Sequence, residues 1–207
     1  MSGLFISLEG PDGSGKTTQI QLLQEFLIER GYEVVLTREP GGTDISEQVR
    51  KIILDVNNEK MSNMTELLLY TAARAQLVDE IIRPALEAGK VVICDRFYDS
   101  SAVYQGIARG MGVDMVYQLN EEALQGILPD ITFLMDMDAE EGIQRKKKQA
   151  TLDRLEKENL EFHQKVVEGY RSLAKRNSQR IKVLNATDSI DQIQKQMRQY
   201  LLRQIEK

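Results

Sequence analysis

The most chemically informative stretch of the chain is a glycine-rich segment near its start that ends in a lysine and a threonine. Gly10, Gly15, Lys16 and Thr17 match the pattern G-x-x-x-x-G-K-[ST] in full. Small residues let successive backbone N–H groups point into one concavity, and the start of a helix adds a partial positive charge. A lysine here reaches the β- and γ-phosphates of a nucleotide, and the hydroxyl ligates Mg²⁺. An ordinary helix cap is the alternative.

The apolar run 4–9 before this loop favours the nucleotide site, because the motif requires a strand, a turn and then a helix. The residues predicted to contact ATP are Gly10, Pro11, Asp12, Gly13, Ser14, Gly15, Lys16, Thr17 and Thr18.

Charged side chains also follow two later apolar runs. Arg38 comes after the second run and is either a phosphate ligand or a member of a surface ion pair. Asp95 follows the run 91–94 directly. This is the position of the carboxylate that holds Mg²⁺, directly or through water, in proteins with such a phosphate loop. A plain strand terminator is the alternative, but the adjacent Arg96 and the upstream glycine-rich loop favour the metal-side role.

A third group of charges lies between residues 145 and 158, where six basic side chains stand against three acidic ones. Such a segment is either a solvated helix face or a lid whose basic groups close over transferring phosphates. His163, the single histidine, lies in a helical stretch of Glu, Gln and Lys, which favours a surface or packing role.

The elements that must position these residues alternate along the chain. Short apolar runs predict strands, and the segments between them predict helices. This alternation indicates right-handed crossovers, a five-stranded parallel sheet with helices on both faces, and ligands at the carboxyl ends of the strands. The predicted strands are 4–9, 33–37, 90–94, 131–135 and 181–185, and the predicted helices are 16–30, 46–54, 64–88, 113–127, 139–148, 156–177 and 189–206.

Composition narrows the classes of protein. A chain of 207 residues with 42% apolar content predicts one domain, 1–207, and a net charge of −5 argues against nucleic-acid binding. No apolar stretch is long enough for a membrane span, and no signal peptide is expected. The single cysteine, Cys94, cannot form an internal disulfide, which fits a reducing, cytoplasmic location.

Beyond these patterns, the chain resembles the thymidylate kinase (dTMP kinase) family over nearly its whole length. The resemblance rests on the segments 9–18, 37–42, 68–76 and 95–106, together with Asn120 and the pair 129–130. The glycine-rich loop is common to many nucleotide-binding proteins, whereas Tyr104-Gln105-Gly106 joined to the Asp95-Arg96 motif is far more specific. The resemblance implies a P-loop NTPase-type three-layer sandwich, transfer of the γ-phosphoryl of ATP to dTMP, Mg²⁺ as cofactor and a homodimer.

The resemblance also implies roles for residues in an acceptor pocket. Asp12 matches a group that contacts the 3′-hydroxyl of the acceptor, and Tyr104 one that crowds a ribose 2′-hydroxyl. Tyr70 stands at an aromatic position, commonly Phe, that stacks on thymine. The arginines matched to the acceptor phosphate and its pocket are Arg38, Arg50 and Arg96, and the groups matched to the base edge are Arg74, Ser101 and Gln105.

The phosphate loop carries no arginine, and in this the chain resembles the bacterial members of the family. In those members an arginine of a lid stabilises the γ-phosphoryl group. The lid is expected at 142–158, and Gln149 stands at a position that is often arginine. Arg145, Lys147 and Arg154 are the candidates for the lid role. The alternatives to this function are another P-loop nucleotide or nucleoside kinase, or a P-loop ATPase or GTPase.

Overall fold

The computed structural model of the protein describes residues 3–147 and 152–205. Five parallel strands form one sheet in the order β2-β3-β1-β4-β5, so the predicted five-stranded parallel sheet is confirmed. Both neighbours of β1 run parallel to it, with Ile6 opposite Ile93 on one side and Ile131 on the other. The strands are β1 (Leu4–Glu9), β2 (Val34–Arg38), β3 (Val91–Asp95), β4 (Ile131–Asp136) and β5 (Ile181–Asn185).

Helices cover both faces of the sheet, because successive side chains of β1 point to opposite sides. Ile6 and Leu8 pack with α1 and α9, whereas Phe5 packs with the end of α3. The helices are α1 (Lys16–Ile28), α2 (Asp44–Leu54), α3 (Asn63–Leu77), α4 (Arg83–Glu87), α5 (Tyr98–Ser101), α6 (Val113–Leu124), α7 (Ala139–Lys147), α8 (Leu160–Arg176) and α9 (Ile190–Ile205), with π-helical turns at Val78–Ile82 and Ala102–Ala108.

Three differences between the structure and the sequence prediction go beyond a shift of one to three residues at a helix end. The predicted helix 64–88 is divided by the π-helical turn Val78–Ile82, which ends just before Pro84. The helix predicted from 156 begins at Leu160, because the Asn159 side chain accepts a hydrogen bond from Phe162 N and caps the first turn. The third is α5 with its π-helical continuation, in a segment for which the sequence predicts neither a helix nor a strand.

Within the described residues, none of the helices has the length and apolar content needed to cross a bilayer.

Candidate active site

The loop between β1 and α1 wraps around the end of the Lys16 side chain. Three of its glycines, at positions 10, 13 and 15, adopt positive φ angles that other residues rarely tolerate. The Lys16 ammonium donates to the carbonyl oxygens of Gly10, at 3.1 Å, and Pro11, at 3.0 Å. Burial, together with the charge of Arg96, lowers the pKa of Lys16 to about 8. The lysine is thus held beside the loop with its charge weakly compensated, which suits it to bind an anion.

A cavity of about 410 Å³ opens over this loop at the carboxyl ends of the strands. Residues of the phosphate loop line one side of it, and the polar side chains expected to bind an acceptor line the other. Its predicted site residues are Asp12, Gly13, Gly15, Lys16, Thr17, Thr18, Arg38, Arg50, Tyr70, Arg74, Asp95, Arg96, Ser101, Tyr104 and Gln105. Further lining residues that sequence reasoning did not single out are Glu39, Pro40, Leu54, Ser100, Lys146, Asp153, Leu155 and Glu156.

Two oxygen groups on the loop side fit a magnesium ion. Asp95 lies at the end of β3, and its Oδ1 atom is buried without a hydrogen-bond partner among residues 3–147 and 152–205. Thr17 lines the same cavity from the first turn of α1. A buried oxygen without a partner is unfavourable, so a cation or water is expected there. Mg²⁺ is typically held by one or two protein groups, water and substrate phosphates.

Arg96 lines the cavity, and its backbone has a φ of 68°, which is unusual outside glycine. Its guanidinium donates to Asp12 Oδ1 at 2.8 Å and to Tyr170 Oη at 3.0 Å. Burial opposes ionisation of Asp12, but the charges of Arg96 and Lys16 outweigh it and lower the pKa of Asp12 to about 2. The backbone and these partners together fix where Arg96 can present its remaining donors.

Glu9 is a buried carboxylate behind Arg96, a role that no local sequence pattern predicts. Its carboxylate accepts hydrogen bonds from Phe97 N at 2.8 Å, Ser100 Oγ at 2.6 Å and Tyr170 Oη at 2.9 Å. Burial and the nearby Asp99 raise the pKa of Glu9 to about 7. Tyr170 therefore bridges Glu9 and Arg96, and it does so from α8, far along the chain.

Arg74 reaches the opposite wall of the cavity from α3 and is almost entirely paired. Its guanidinium binds both carboxylate oxygens of Glu39, with Nε to Oε2 at 2.8 Å, and the two side chains are 1% and 3% exposed. Asn120 Oδ1 and Ser101 Oγ accept two further hydrogen bonds, at 2.5 and 3.1 Å. The planar fork of Arg74 is thereby held rigidly at the cavity wall.

The remaining predicted acceptor residues surround this fork. Gln105 donates from Nε2 to Glu66 at 2.9 Å, and the Tyr104 hydroxyl lies 3.5 Å from Asp12 Oδ2. Tyr70 lines the cavity as a half-buried ring. Burial, followed by the charge of Glu66, raises its pKa, so its hydroxyl stays neutral.

The two arginines before α3 are more exposed. Arg38 is the last residue of β2 and pairs with Glu47 at 2.8 Å, with 54% of its side chain exposed. Arg50 donates to the carbonyl of Pro40 at 2.8 Å. Arg38 is thus a member of a surface ion pair that also lines the cavity, and its role as a phosphate ligand stays a prediction.

In the lid segment, the structure separates the candidate side chains. Arg145 binds Glu141 at 2.5 Å and the Ala186 carbonyl, and Lys147 is exposed. Arg154 donates to the Ile53 carbonyl at 2.8 Å and to Glu66 at 2.6 Å, so it ties the segment to the end of α2. None of these three candidates lines the cavity, whereas Lys146 does.

Lys146 is held by an ion pair with Glu156 at 2.9 Å. Burial opposes its charge, but the hydrogen bond that Lys146 donates to Glu156 and the charge of Glu156 outweigh this effect and raise the pKa of Lys146. A run of three lysines in the sequence does not tell which one faces inward, since this depends on the phase of α7. Gln149 lies outside the described residues.

Helix α7 lies directly against the phosphate loop through two glycines. A Cβ atom added at Gly13 would lie 2.5 Å from the Gly142 carbonyl oxygen, and one at Gly142 would lie 2.7 Å from the Asp12 carbonyl oxygen. Any side chain at either position would push the two segments apart.

His163 is buried, which agrees with the expected packing role, and its ring packs edge-on against Phe162.

Comparisons with known proteins were made for the whole chain. The family profile described as Thymidylate kinase matches residues 8–197. A thymidylate kinase of Geobacillus sp. (strain WCH70) is 50% identical over 195 residues, which cover 93% of each chain. One from Exiguobacterium sp. (strain ATCC BAA-1283 / AT1b) is 45% identical over 206 residues, covering 100% of this chain and 97% of its own. The crystal structure of thymidylate kinase from Ehrlichia chaffeensis superposes with a TM-score of 0.80 at 36% identity, covering 98% and 99% of the two chains.

Proposed function

Because the chain belongs to the thymidylate kinase family, we propose that its cavity aligns ATP and dTMP with their phosphates facing each other. The reaction moves the γ-phosphoryl group of ATP to the phosphate of dTMP and yields ADP and dTDP. One observation carries the proposal: the phosphate loop and the acceptor arginines line a single cavity. Two bound nucleotides are then close enough to react without a large movement of the sheet.

On the donor side, the backbone N–H groups of the loop from Asp12 to Thr18 bind the phosphates of ATP, with Gly10 and Pro11 completing the loop, and Lys16 binds the β- and γ-phosphates. Thr17 and Asp95 would hold Mg²⁺, as the orphaned Asp95 oxygen supports. The ion, when bound, neutralises charge on the phosphates of ATP. Lys146 adds a positive charge from the lid side of the same cavity.

On the acceptor side, Arg96, Arg38 and Arg50 bind the phosphate of dTMP. Arg96 contributes most to binding this phosphate, because its partners already fix its orientation. Arginine suits this role because its planar fork matches the geometry of phosphate oxygens. The acceptor phosphate has a second pKa near 6 and is largely dianionic at neutral pH, so no general base is needed.

The sugar and base bind beyond the phosphate. Asp12 accepts from the 3′-hydroxyl, and Tyr104 fills the space that a ribose 2′-hydroxyl would occupy. Tyr70 stacks on thymine, while Arg74, Ser101 and Gln105 contact the edge of the base. Such polar contacts discriminate strongly, because a wrong base leaves buried donors or acceptors without partners.

We further propose that the protein is a cytoplasmic homodimer that associates through α2, α3 and α6. Large apolar side chains are exposed on these helices, and α2 and α6 both pack against α3. They are Ile45, Ile52, Met64, Leu68 and Met115. Light scattering after size exclusion should give twice the mass of the chain, and Leu68→Glu should reduce it to that of one chain.

The function is tested with a panel of acceptors at fixed ATP and Mg²⁺: thymidine, dTMP, dUMP, dCMP and dAMP. The kcat/KM for dTMP, measured as formation of dTDP, should exceed the kcat/KM for every other acceptor. Preferential turnover of thymidine would indicate a nucleoside kinase, and ATP hydrolysis that DNA stimulates without any acceptor would indicate an ATPase.

A further inference from the structure

A buried carboxylate, Glu66, lies behind the base-contacting end of the cavity. It belongs to the first turn of α3, its side chain is 1% exposed, and it does not line the cavity itself. It accepts a hydrogen bond from Nε2 of Gln105 at 2.9 Å. Gln105 is also buried, but it does line the cavity, so Glu66 reaches any ligand there only through this amide.

Two arginines keep Glu66 ionised. Arg109 lies 3.3 Å and Arg154 2.6 Å from its Oε2 atom. Burial raises the pKa of Glu66, but the hydrogen bond from Gln105, the charge of Arg109 and the hydrogen bond from Arg154 outweigh it and lower the pKa. Glu66 is therefore a carboxylate that accepts hydrogen bonds and donates none.

This fixes the orientation of the Gln105 amide. A glutamine amide has a donating nitrogen and an accepting oxygen, and a carboxylate neighbour can pair only with the nitrogen. The Nε2 group must therefore face Glu66, and Oε1 is left to the cavity side. Among the described residues, Oε1 accepts no hydrogen bond from the protein.

Resting on the proposed function, we propose that Glu66 is a positioning residue that makes Gln105 present an acceptor to the pyrimidine, and thereby selects thymine or uracil against cytosine. Thymine and uracil carry a donor, N3–H, beside the O4 acceptor. Cytosine carries an acceptor at N3 and a donor at N4. Gln105, held this way, presents an acceptor oxygen to N3 of the base, and Arg74 offers only donors to the group at position 4. Cytosine would therefore place its N3 acceptor against the Gln105 oxygen and its N4 donor against the Arg74 donors.

The lid segment is bound to the same carboxylate, Glu66. Arg154 binds the same carboxylate and, through its backbone N–H and its Nε atom, the carbonyls of Leu54 and Ile53. One side chain thus orients the base-contacting amide and holds the end of the lid segment.

The test compares Glu66→Gln with the matched control Arg109→Met. A glutamine at 66 can donate to Gln105 Oε1 and so permits the amide to turn, whereas Arg109→Met removes another partner of Glu66 but leaves the carboxylate on Gln105. We measure kcat/KM for dTMP and dCMP in the native protein and both variants. The ratio of dTMP to dCMP should fall about tenfold or more in Glu66→Gln and stay within about twofold in Arg109→Met.

A second acceptor separates orientation from general damage. dTMP methylated at N3 lacks the donor, so the methyl group should reduce kcat/KM less in Glu66→Gln than in the native protein. If Glu66 had a structural role alone, Glu66→Gln would lower kcat/KM for all acceptors by the same factor. The ratios of dTMP to dCMP and of dTMP to its N3-methyl derivative would then stay unchanged, and that result would overturn the proposal. Thermal unfolding of each variant is measured alongside.

Should Glu66→Gln not fold, a crystal structure of the native protein with dTMP decides the matter. Gln105 Nε2 should remain within about 3.2 Å of Glu66, and a Gln105 side chain turned away from it would overturn the proposal. A native protein without preference for dTMP over dCMP would refute the proposed function. A preferring native protein whose Glu66→Gln variant keeps the ratio would refute this inference alone.

Discussion

The two sides of the cavity are built to different degrees of order. On the base side, Arg74 and Glu39 are 1% and 3% exposed and hold each other in a buried ion pair. On the lid side, the pair of Lys146 and Glu156 that lines the cavity is 30% and 10% exposed. The neighbouring pair of Arg145 and Glu141, outside the cavity, is 38% and 41% exposed. A buried network is rigid and needs little reorganisation when a ligand arrives. An exposed pair contributes little stability and breaks easily.

The difference indicates a division of labour. We expect the acceptor pocket to select its ligand with groups that are already in position, and the charges of the lid to change partners before they reach a phosphate. Mutations on the base side should therefore affect stability and acceptor binding together. Mutations on the lid side should affect turnover with little effect on folding.

The largest effect is expected at the phosphate loop, which both sides share. Lys16→Ala should lower kcat by about 10²- to 10³-fold, because it removes a charge from the transferring phosphates. Steady-state kinetics measure the loss, and an unfolding curve close to that of the native protein shows that the fold is intact. Near-normal turnover would mean that Lys16 has no role in transfer.

On the base side, Arg74→Met should destabilise the protein by about 3 to 5 kcal/mol, because Glu39 stays buried without its partner. It should also raise KM for dTMP and leave the Kd for ATP unchanged. Urea denaturation and nucleotide titrations measure the two effects.

A second substitution separates stability from binding at this pair. Adding Glu39→Gln to Arg74→Met should restore much of the stability but none of the dTMP affinity. An equal loss of ATP affinity would contradict the division between the two sides.

On the lid side, Lys146→Met and Lys147→Met form a matched pair of neighbours. Lys146 lines the cavity and Lys147 is exposed, so the first variant should lower kcat about tenfold and the second less than about twofold. Both should unfold like the native protein. Equal kinetic effects would show that the inward-facing side chain is not the one that matters.

The smallest effect is a change in pH dependence at Glu9. Its pKa of about 7, raised from 4.5, means that the folded state binds a proton that the unfolded state releases between these values. This contribution to stability is full below about pH 4.5 and is lost as the pH rises through about 7. Glu9→Gln should reduce the decrease in the free energy of unfolding over this pH range by about 1 to 3 kcal/mol. Urea denaturation from about pH 5 to 8 measures it, and an unchanged slope would exclude Glu9 as its source.

The sequence was sufficient for the parts of the molecule that depend on local patterns. The β1 strand, the glycine-rich loop and the start of α1 follow directly from residue order, and all five strands lie where apolar runs predict them. The site residues that follow β2 and β3 reach one cavity because parallel strands end at the same edge of the sheet.

The parts that the sequence did not reveal depend on contacts between distant segments. Glu9 is an ordinary polar residue at a strand end until Tyr170 is brought to it from α8. Glu66 gives no local signal, since Gln105, Arg109 and Arg154 meet it only in the folded chain. Likewise, the inward direction of Lys146 depends on how α7 packs.

The contact between Gly13 and Gly142 limits where a positive charge can come from in this protein. With a carbonyl oxygen 2.5 Å from any Cβ at position 13, the tip of the phosphate loop has no room for a long basic side chain. At position 13, a side chain of the loop and the backbone of α7 therefore compete for the same space. A basic side chain there would require α7 to move at the same time, so the single substitution Gly13→Arg is not expected to place a charge in the loop.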